Sequence, residues 1–436
     1  MADAAIVEAA LDRFREGATG RVSPAFGTAY IRKALVELGD PQDRIVRAIH
    51  ITGTNGKGST GAFIRAMAEA AGLSVHVFTS PHLIRVNERI RIAGRLVEDE
   101  ALADVLADIW RRTEGLTYFE ALTAAAFCLF AHNPADISII EVGAGGGTDA
   151  TNVMSHPSAS VVTPISRDHE TMFGVSGVAA IARLKAGIFR EGVPAIISPQ
   201  PAIALGVLRE EARTTAAVVS EAGIDWRAGW EGEAFLYEGR ELSVRAPWLG
   251  LRGRHQAQNA GAACATLEAI GETRITPQHM AAGLRETTWP ARLQRMKPGP
   301  LVGDAAVWID AAHNPGGAAT LAAAIRESGE EGARSAIVFA IQAVKDVEGV
   351  LAELVPAADA LIVCPLPDSG GQEGGPGADP RQVAGIARTL GDKAQIACDL
   401  REAVALARRS GVERIYICGS VYLCGAALQA NDEHVE

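Results

Sequence analysis

Gly53 to Thr60 reads GTNGKGST, between a short apolar run, Arg47 to Thr52, and an apolar-periodic stretch from Ser59 to Ala71 that stops at Gly72. Strand, glycine turn and helix in that order put the turn at the carboxyl end of the strand and the start of the helix. The usual phosphate-binding loop is G-x-x-x-x-G-K-[ST]. Here the spacing is shorter, and Gly58 separates Lys57 from Ser59. The physics is unchanged: glycines let backbone N–H groups turn toward phosphate oxygens, the helix start adds positive potential, and Lys57 can reach the outer phosphates. Ser59 is placed to ligate Mg²⁺. A glycine turn that merely caps a helix would leave the lysine and the hydroxyls unexplained. Thr54, Asn55, Gly56, Lys57, Gly58 and Ser59 are therefore the candidate ATP-binding residues.

Outward from this turn the chain repeats strand, turn and helix. Val75 to Phe78 reads as the next strand, and Arg89 to Val97 (RIRIAGRLV) as a hairpin turning at Ala93-Gly94. Two helices follow, Asp99 to Arg112 and Tyr118 to Ala131, then an apolar strand, Ile137 to Ile140, that ends in Glu141. This alternation predicts an α/β fold with a doubly wound, mostly parallel sheet. Asp225 to Gly250 breaks the rhythm with tryptophans and polar residues in short alternation, the pattern of a small antiparallel excursion, and Gln256 to Ile270 reads as a helix. Proline and glycine gather at Thr287 to Pro300 (TTWPARLQRMKPGP). Beyond them strands recur at Val307 to Ile309, Ala336 to Phe339, Ala360 to Val363 and Arg414 to Cys418. The expected domains are 1–290 and 291–436. Ser369 to Asp379 (SGGQEGGPGAD) reads as an exposed loop of the second.

Composition excludes several classes. The 436 residues are 48% hydrophobic and 21% charged, the profile of a folded chain long enough for two or three domains. The net charge is −11, a sign that disfavours nucleic acid and anionic membranes. No apolar run reaches the roughly 18 residues of a spanning helix, and MADAAIVEAALDRF lacks the basic start and apolar block of a secretion signal. Six cysteines (Cys128, Cys264, Cys364, Cys398, Cys418 and Cys424) form no C-x-x-C pair. A reduced, cytoplasmic enzyme is expected. Glycine, 46 residues against a norm of about 7%, punctuates the apolar runs and marks turns beside strands.

The variant loop resembles that of the Mur ligase superfamily, and further motifs narrow it. TSPHLIRVNERIRI (Thr79 to Ile92), EVGAGG…DATN (Glu141 to Asn152), KAGI (Lys185 to Ile188), HQxxNA (His255 to Ala260), WPARL (Trp289 to Leu293), DxAHNP (Asp310 to Pro315) and ICGSVYL (Ile417 to Leu423) closely resemble the folylpolyglutamate synthase/dihydrofolate synthase family. They run over most of the chain in the expected order. The resemblance implies a P-loop-type central domain with a smaller C-terminal Rossmann-like α/β domain. It also implies that ATP phosphorylates an acceptor carboxylate and that the amine of L-glutamate attacks the acyl phosphate. Such chemistry is mainly positioning and charge neutralisation.

By the same resemblance Ser59, Ser80, Glu141, His169 and Lys185 match the positions that hold Mg²⁺, two ions in all. Lys185 matches the lysine that the family carboxylates to a carbamate. Read from the residues alone, Glu141 closes an apolar strand at the ligand-binding edge of the sheet, whereas Lys185 reads as a surface lysine on a helix. Asn259 and Asp310 are expected to contact the nucleotide, Arg292 to neutralise phosphate charge, and His313 to lie near the phosphates. Pro81, His82, Arg89, Thr117, Tyr118, Phe119, Glu120, Thr148, Asp149 and Ala150 match the acceptor side. Lys57, Lys185 and His313 are the expected catalytic residues. Closure of the two domains of a monomer would assemble the site and exclude water. Cys418 and Cys424 are expected to pack in the core.

The chain departs from the family pattern chiefly on the acceptor side. In Phe26 to Ile31 (FGTAYI), Thr28, Ala29 and Tyr30 replace a leucine–acid–arginine step. Gly147 and Thr148 stand where arginine and leucine are usual, Ser166-Arg167-Asp168 replaces Gly-Leu-Asp, and Leu184 replaces a glutamate before Lys185. Three functions therefore fit the residues: a folate-glutamylating ligase, a paralogue joining an amino acid to another acid, and a nucleotide-binding protein without catalysis. Changes confined to acceptor contacts alter specificity more than chemistry.

Overall fold

The computed structural model describes residues 2–17, 27–168, 170–328, 333–367, 375–391 and 394–435. The chain divides into two compact units, one of Met1–Ile165, Glu170–Gly250 and Gln256–Thr288, the other of Ser166–His169, Leu251–His255 and Trp289–Glu436. Phe26 and most of the Ser369 to Asp379 loop lie outside the described residues. Among the described residues no helix is long and apolar enough to cross a membrane.

The first unit is built on eight strands: β1 (Ala48–Thr52), β2 (Val75–Phe78), β3 (Ile90–Ile92), β4 (Arg95–Leu96), β5 (Ile137–Glu141), β6 (Ala159–Val162), β7 (Pro194–Ile197) and β8 (Val218–Glu221). Their order is β4-β3-β2-β5-β1-β6-β7-β8. The run from β2 to β8 is parallel, and the β3–β4 hairpin is antiparallel at one edge. β1 and β5 are buried at every position, because helices cover both faces of a parallel sheet and leave its central strands no wet side. β1 leads through the helix Lys57–Ala70 to β2, beyond β5, while β6 joins its other flank. The strand order thus reverses beside β1, and the crevice at its carboxyl end is where such sheets bind ligands. GTNGKGST occupies that crevice.

The helix Lys57–Ala70 packs against Gln256–Ala269 and Pro277–Glu286. Gln256–Ala269 buries most of its length, which its small residues Ala257, Ala260, Gly261, Ala262 and Ala263 allow. The excursion expected at Asp225 to Gly250 is a three-stranded antiparallel sheet, with β9 (Arg227–Glu231) and β11 (Ser243–Ala246) flanking β10 (Ala234–Glu238).

The second unit holds β12 (Gln294–Arg295), β13 (Val307–Asp310), β14 (Ser335–Phe339), β15 (Ala360–Val363), β16 (Gln395–Ile396) and β17 (Arg414–Cys418) in the order β12-β13-β17-β14-β15-β16. All pairings are parallel except β12 with β13. One of its cores gathers Leu321, Ile337, Phe339, Leu351, Val363 and Tyr416. β12 and β16, two residues each, are too short to leave a period in the sequence. Cys418 and Cys424 are buried, and Cys398 is exposed.

Candidate functional site

At the end of β1 the backbone N–H groups of Thr54 and Asn55 donate to the Pro164 carbonyl at 3.1 and 3.2 Å, which pins the turn to the exit of β6. Gly56, at φ +88°, precedes the helix, and its carbonyl accepts the first helical bond from Thr60 at 2.8 Å. Any side chain there would be strained, and its Cβ would overlap Asn259 Oδ1. The amides of Lys57, Gly58 and Ser59 have no acceptor within the helix, an arrangement that suits an anion. Ser59 is fully buried at the base of this set.

Two ammonium groups converge on one carbonyl. Lys57 Nζ donates to the Gly53 carbonyl at 3.3 Å and lies 3.8 Å from Glu141 Oε1. Lys185 Nζ donates to the same carbonyl at 2.8 Å. Lys185 is buried, as is Glu141, so the surface lysine of the sequence reading is an interior one. Ser80 stands two residues beyond the end of β2 and forms a cis bond with Pro81. His169 lies outside the described residues. Among the described residues no three His, Cys, Asp or Glu side chains gather as a metal cluster. The set expected here draws on serine oxygens and on Lys185, and a carboxylate with hydroxyls is the hard-oxygen chemistry that Mg²⁺ takes.

The turn after β5 is packed against the helix that carries Lys185. A Cβ on Gly146 would stand 2.6 and 2.8 Å from the carbonyl oxygens of Leu184 and Lys185, and 2.9 Å from Lys185 Cα. Gly147 N–H donates to the Leu184 carbonyl at 2.9 Å. Asn152 Nδ2 ties Gly147 and Gly187 together through their carbonyls, at 2.9 and 3.1 Å. A Cβ on Gly147 would stand 3.2 Å from Gly187 Cα, a close backbone approach at the end of the helix Val178–Ala186. We expect Gly146→Ala to cost about 1–3 kcal/mol through overpacking and to lower turnover by moving Lys185. Thermal unfolding and ADP release read the two effects. Gly206→Ala, in a helix where a Cβ meets nothing within 4 Å, should be neutral or stabilising by about 1 kcal/mol.

Several acceptor-side residues hold local structure. Thr117 caps the helix Tyr118–His132: its Oγ1 accepts from the Glu120 N–H at 3.4 Å and its own N–H donates to Glu120 Oε2 at 2.8 Å, forming a capping box. Asp149 accepts from the N–H groups of Ala144 and Thr151 at 2.9 Å and from Thr151 Oγ1 at 2.6 Å. Burial pushes its carboxyl above the usual range. Ala150 is buried, and Thr148 is partly exposed. Phe119 packs over Gly143 and beside Phe78, ring centroids 5.9 Å apart. The Arg15 guanidinium lies 4.5 Å from the Tyr118 ring centroid and that of Arg89 5.7 Å from it. Arg89 is buried and donates through Nε to His82 Nδ1 at 2.9 Å. Burial, with the charges of Arg89 and Arg15, pushes His82 down to about 3, so it is a neutral acceptor. Arg15 escaped the sequence reading because only the docking of the helix Ala2–Gly17 brings it to Tyr118.

In the second unit β13 ends in Asp310, whose carboxylate accepts from Leu293 N–H at 2.8 Å and Ala312 N–H at 2.9 Å. Burial raises its carboxyl pKa, against the pull of Arg292. Arg292 sits between two left-handed residues, Ala291 (φ 54°) and Leu293 (φ 45°). Asp310 holds this strained step in place through the Leu293 amide. His313 Nδ1 bonds the Ala311 carbonyl at 2.8 Å, and its Nε2 is 3.7 Å from Asp168 Oδ2. Lys345 Nζ donates to Asp168 Oδ1 at 2.9 Å, and Asn314 Nδ2 to Oδ2 at 3.2 Å. Lys345 was missed, since a lysine in the loop after β14 carries no spacing signal.

Two family models match the chain: the Mur ligase middle domain over residues 51–267 and the Mur ligase glutamate ligase domain over residues 291–421. The folylpolyglutamate synthase of Lacticaseibacillus casei is 32% identical over 418 residues, covering 90% of this chain and 91% of that protein. E. coli FolC in complex with DHPP and ADP superposes with a TM-score of 0.85 at 26% identity, over 97% of each chain. The bifunctional folylpolyglutamate synthase/dihydrofolate synthase of Yersinia pestis complexed with AMPPNP and a Mn ion gives a TM-score of 0.81 at 27% identity, over 94% of this chain and 95% of that one. With a curated relative above 30% identity along nearly its whole length, and both Mur ligase models in chain order, this chain belongs to the folylpolyglutamate synthase/dihydrofolate synthase family of Mur ligases.

Proposed function

We propose that the chain uses ATP to join L-glutamate to the carboxylate of a folate-type acceptor, dihydropteroate or tetrahydrofolate. The acceptor carboxylate attacks the γ-phosphorus and ADP leaves. The glutamate amine then adds to the acyl phosphate, loses a proton and expels phosphate, leaving an amide. The observation that carries this reading is the meeting of Lys57, Lys185 and Glu141 around the Gly53 carbonyl.

In this reading the amides of Lys57, Gly58 and Ser59, with Thr54, Asn55 and Gly56 shaping the turn, hold the phosphates, and Lys57 draws off charge as the bond to ADP breaks. Asn259 borders the turn from the side. By the family resemblance Arg292 and Asp310 would contact the nucleotide, and His313 would lie near its phosphates. Ser59, Ser80, Glu141, His169 and a carbamate on Lys185 would hold two Mg²⁺ ions, which when bound neutralise phosphate charge. His82, Arg89, Tyr118 and Phe119 would face the acceptor with Pro81, Thr148 and Ala150, while Thr117, Glu120 and Asp149 keep that wall in shape.

The test is ADP release with dihydropteroate, tetrahydrofolate and a panel of other carboxylic acids, each with glutamate. Release should require both a pterin acid and glutamate. Silence with both pterins, in protein that still binds ATP, would transfer the function to another acid. Release with neither acid nor glutamate needed would remove ligation altogether.

A further inference from the structure

Given the reading of Gly53 to Thr60 as a nucleotide site, we infer that Gln200 is a positioning residue for that turn. Its side-chain amide brackets Pro164 and so fixes the carbonyl to which Thr54 and Asn55 are tied.

β6 stops at Val162, and two residues on Pro164 has no N–H with which to continue a ladder. Thr163 still belongs to the sheet, its N–H donating to the Thr52 carbonyl at 2.9 Å. Beyond it a side chain takes over. Gln200, three residues past the end of β7, accepts from Ile165 N–H at 3.0 Å through Oε1. Its Nε2 donates to the Thr163 carbonyl at 3.1 Å and to the Val162 carbonyl at 3.4 Å. Oxygen meets an N–H and nitrogen meets carbonyls, which fixes the orientation of the amide. One side chain therefore holds the backbone on both sides of Pro164, and the Pro164 carbonyl is left to accept from Thr54 and Asn55 at 3.1 and 3.2 Å. A glutamine that only finished β7 would bond its own strand, whereas all three bonds of Gln200 go to the exit of β6. The turn has little side-chain bracing of its own there, since Gly53 sits at φ +146° and a Cβ on it would overlap Thr163 Oγ1. All of these residues lie in the first unit. Backbone amides serve a phosphate only when they are already set, and a misplacement of about 1 Å can cost about 10² in rate. Gln200 thus acts on the reaction through Pro164 and the turn, without touching substrate.

Two substitutions test this. Gln200→Ala removes the clamp, and Gln200→Glu keeps the length and the acceptor for Ile165 N–H but loses both donors. Hydrogen exchange of the ligand-free protein is read by mass spectrometry in peptides covering Thr54 and Asn55 and in peptides covering Ser198. Ser198 N–H donates to the Val162 carbonyl at 3.0 Å and reports on the sheet itself. We expect exchange at Thr54 and Asn55 to rise at least about tenfold in both variants, with Ser198 within about twofold of the parent. Calorimetry should show MgADP bound at least about tenfold more weakly, and KM for ATP should rise while KM for the acceptor acid stays within about twofold. A folded variant that keeps the parent's protection at Thr54 and Asn55, or binds MgADP within about twofold of the parent, overturns the role of Gln200. So does equal loss of protection at Ser198, which marks a brace of the sheet alone, and so does failure of both variants to fold. A parent that fails to bind MgADP overturns the nucleotide reading instead, and the exchange comparison still decides whether Gln200 holds the turn.

Discussion

Lys57→Ala should abolish ATP-dependent ligation, with kcat down about 10³-fold or more and the fold intact. Lys57 opens its helix, and its ammonium group stands between the Gly53 carbonyl and Glu141 rather than in a core. Its removal leaves no cavity among apolar side chains, and alanine is a good residue for a helix start. The cost falls on the reaction instead. Charge moves from the γ-phosphoryl group onto ADP as the acyl phosphate forms, and a fixed cation in a water-poor site is worth about 10²–10³ in rate by itself, more where it also orients the phosphates. Lys57→Arg should rescue little, because a planar fork does not fit where one ammonium reaches both partners. Steady-state ADP release beside a thermal melt reads both sides. Near-normal turnover in Lys57→Ala would refute the assignment of this turn as the phosphate site.

What could be read in advance was what local sequence determines. Gly56, Lys57 and Ser59 advertise their local geometry, a turn with φ +88° that needs glycine followed by the first residues of a helix. Glu141 was readable because it closes an apolar run. Thr117 and Glu120 carry the sequence signature of a capping box, yet their place in a matched motif directed attention to the acceptor rather than to the helix end. Lys185 shows the opposite limit: its burial depends on Gly146 and Gly147 letting one helix end approach the turn, a contact between segments some forty residues apart. Arg15 and Lys345 meet their partners only through tertiary docking, over more than a hundred residues for each. Gly147, one of the departures from the family pattern, also stands close to the Gly187 backbone, an approach no spacing in the sequence announces.

Glu141→Ala should also abolish ligation, by a route that can be told apart from the lysine. Glu141 is the last residue of β5 and pairs in register with Ile51, two positions before Gly53. It is buried, and its Oε1 lies 3.8 Å from Lys57 Nζ. Taking the carboxylate away leaves Lys57 without its acid at that distance, and breaking a buried pair from one side destabilises by about 3–5 kcal/mol in the strongest cases. A drop in melting temperature is therefore expected along with the loss of turnover, so alanine alone cannot say which effect silences the enzyme. Glu141→Gln resolves this. The amide keeps the size and most of the hydrogen-bonding capacity while deleting the charge that a hard divalent cation requires. It should fold nearly as well as the parent, bind nucleotide more weakly in the presence of Mg²⁺ than the parent does, and lose about 10³-fold in kcat. Raising Mg²⁺ should restore part of the nucleotide affinity but little of the rate, since the cation must sit where charge develops and not merely be present. If Glu141→Gln turns over at near the parent's rate in saturating Mg²⁺, Glu141 is a partner that orients Lys57 and the cation is held elsewhere.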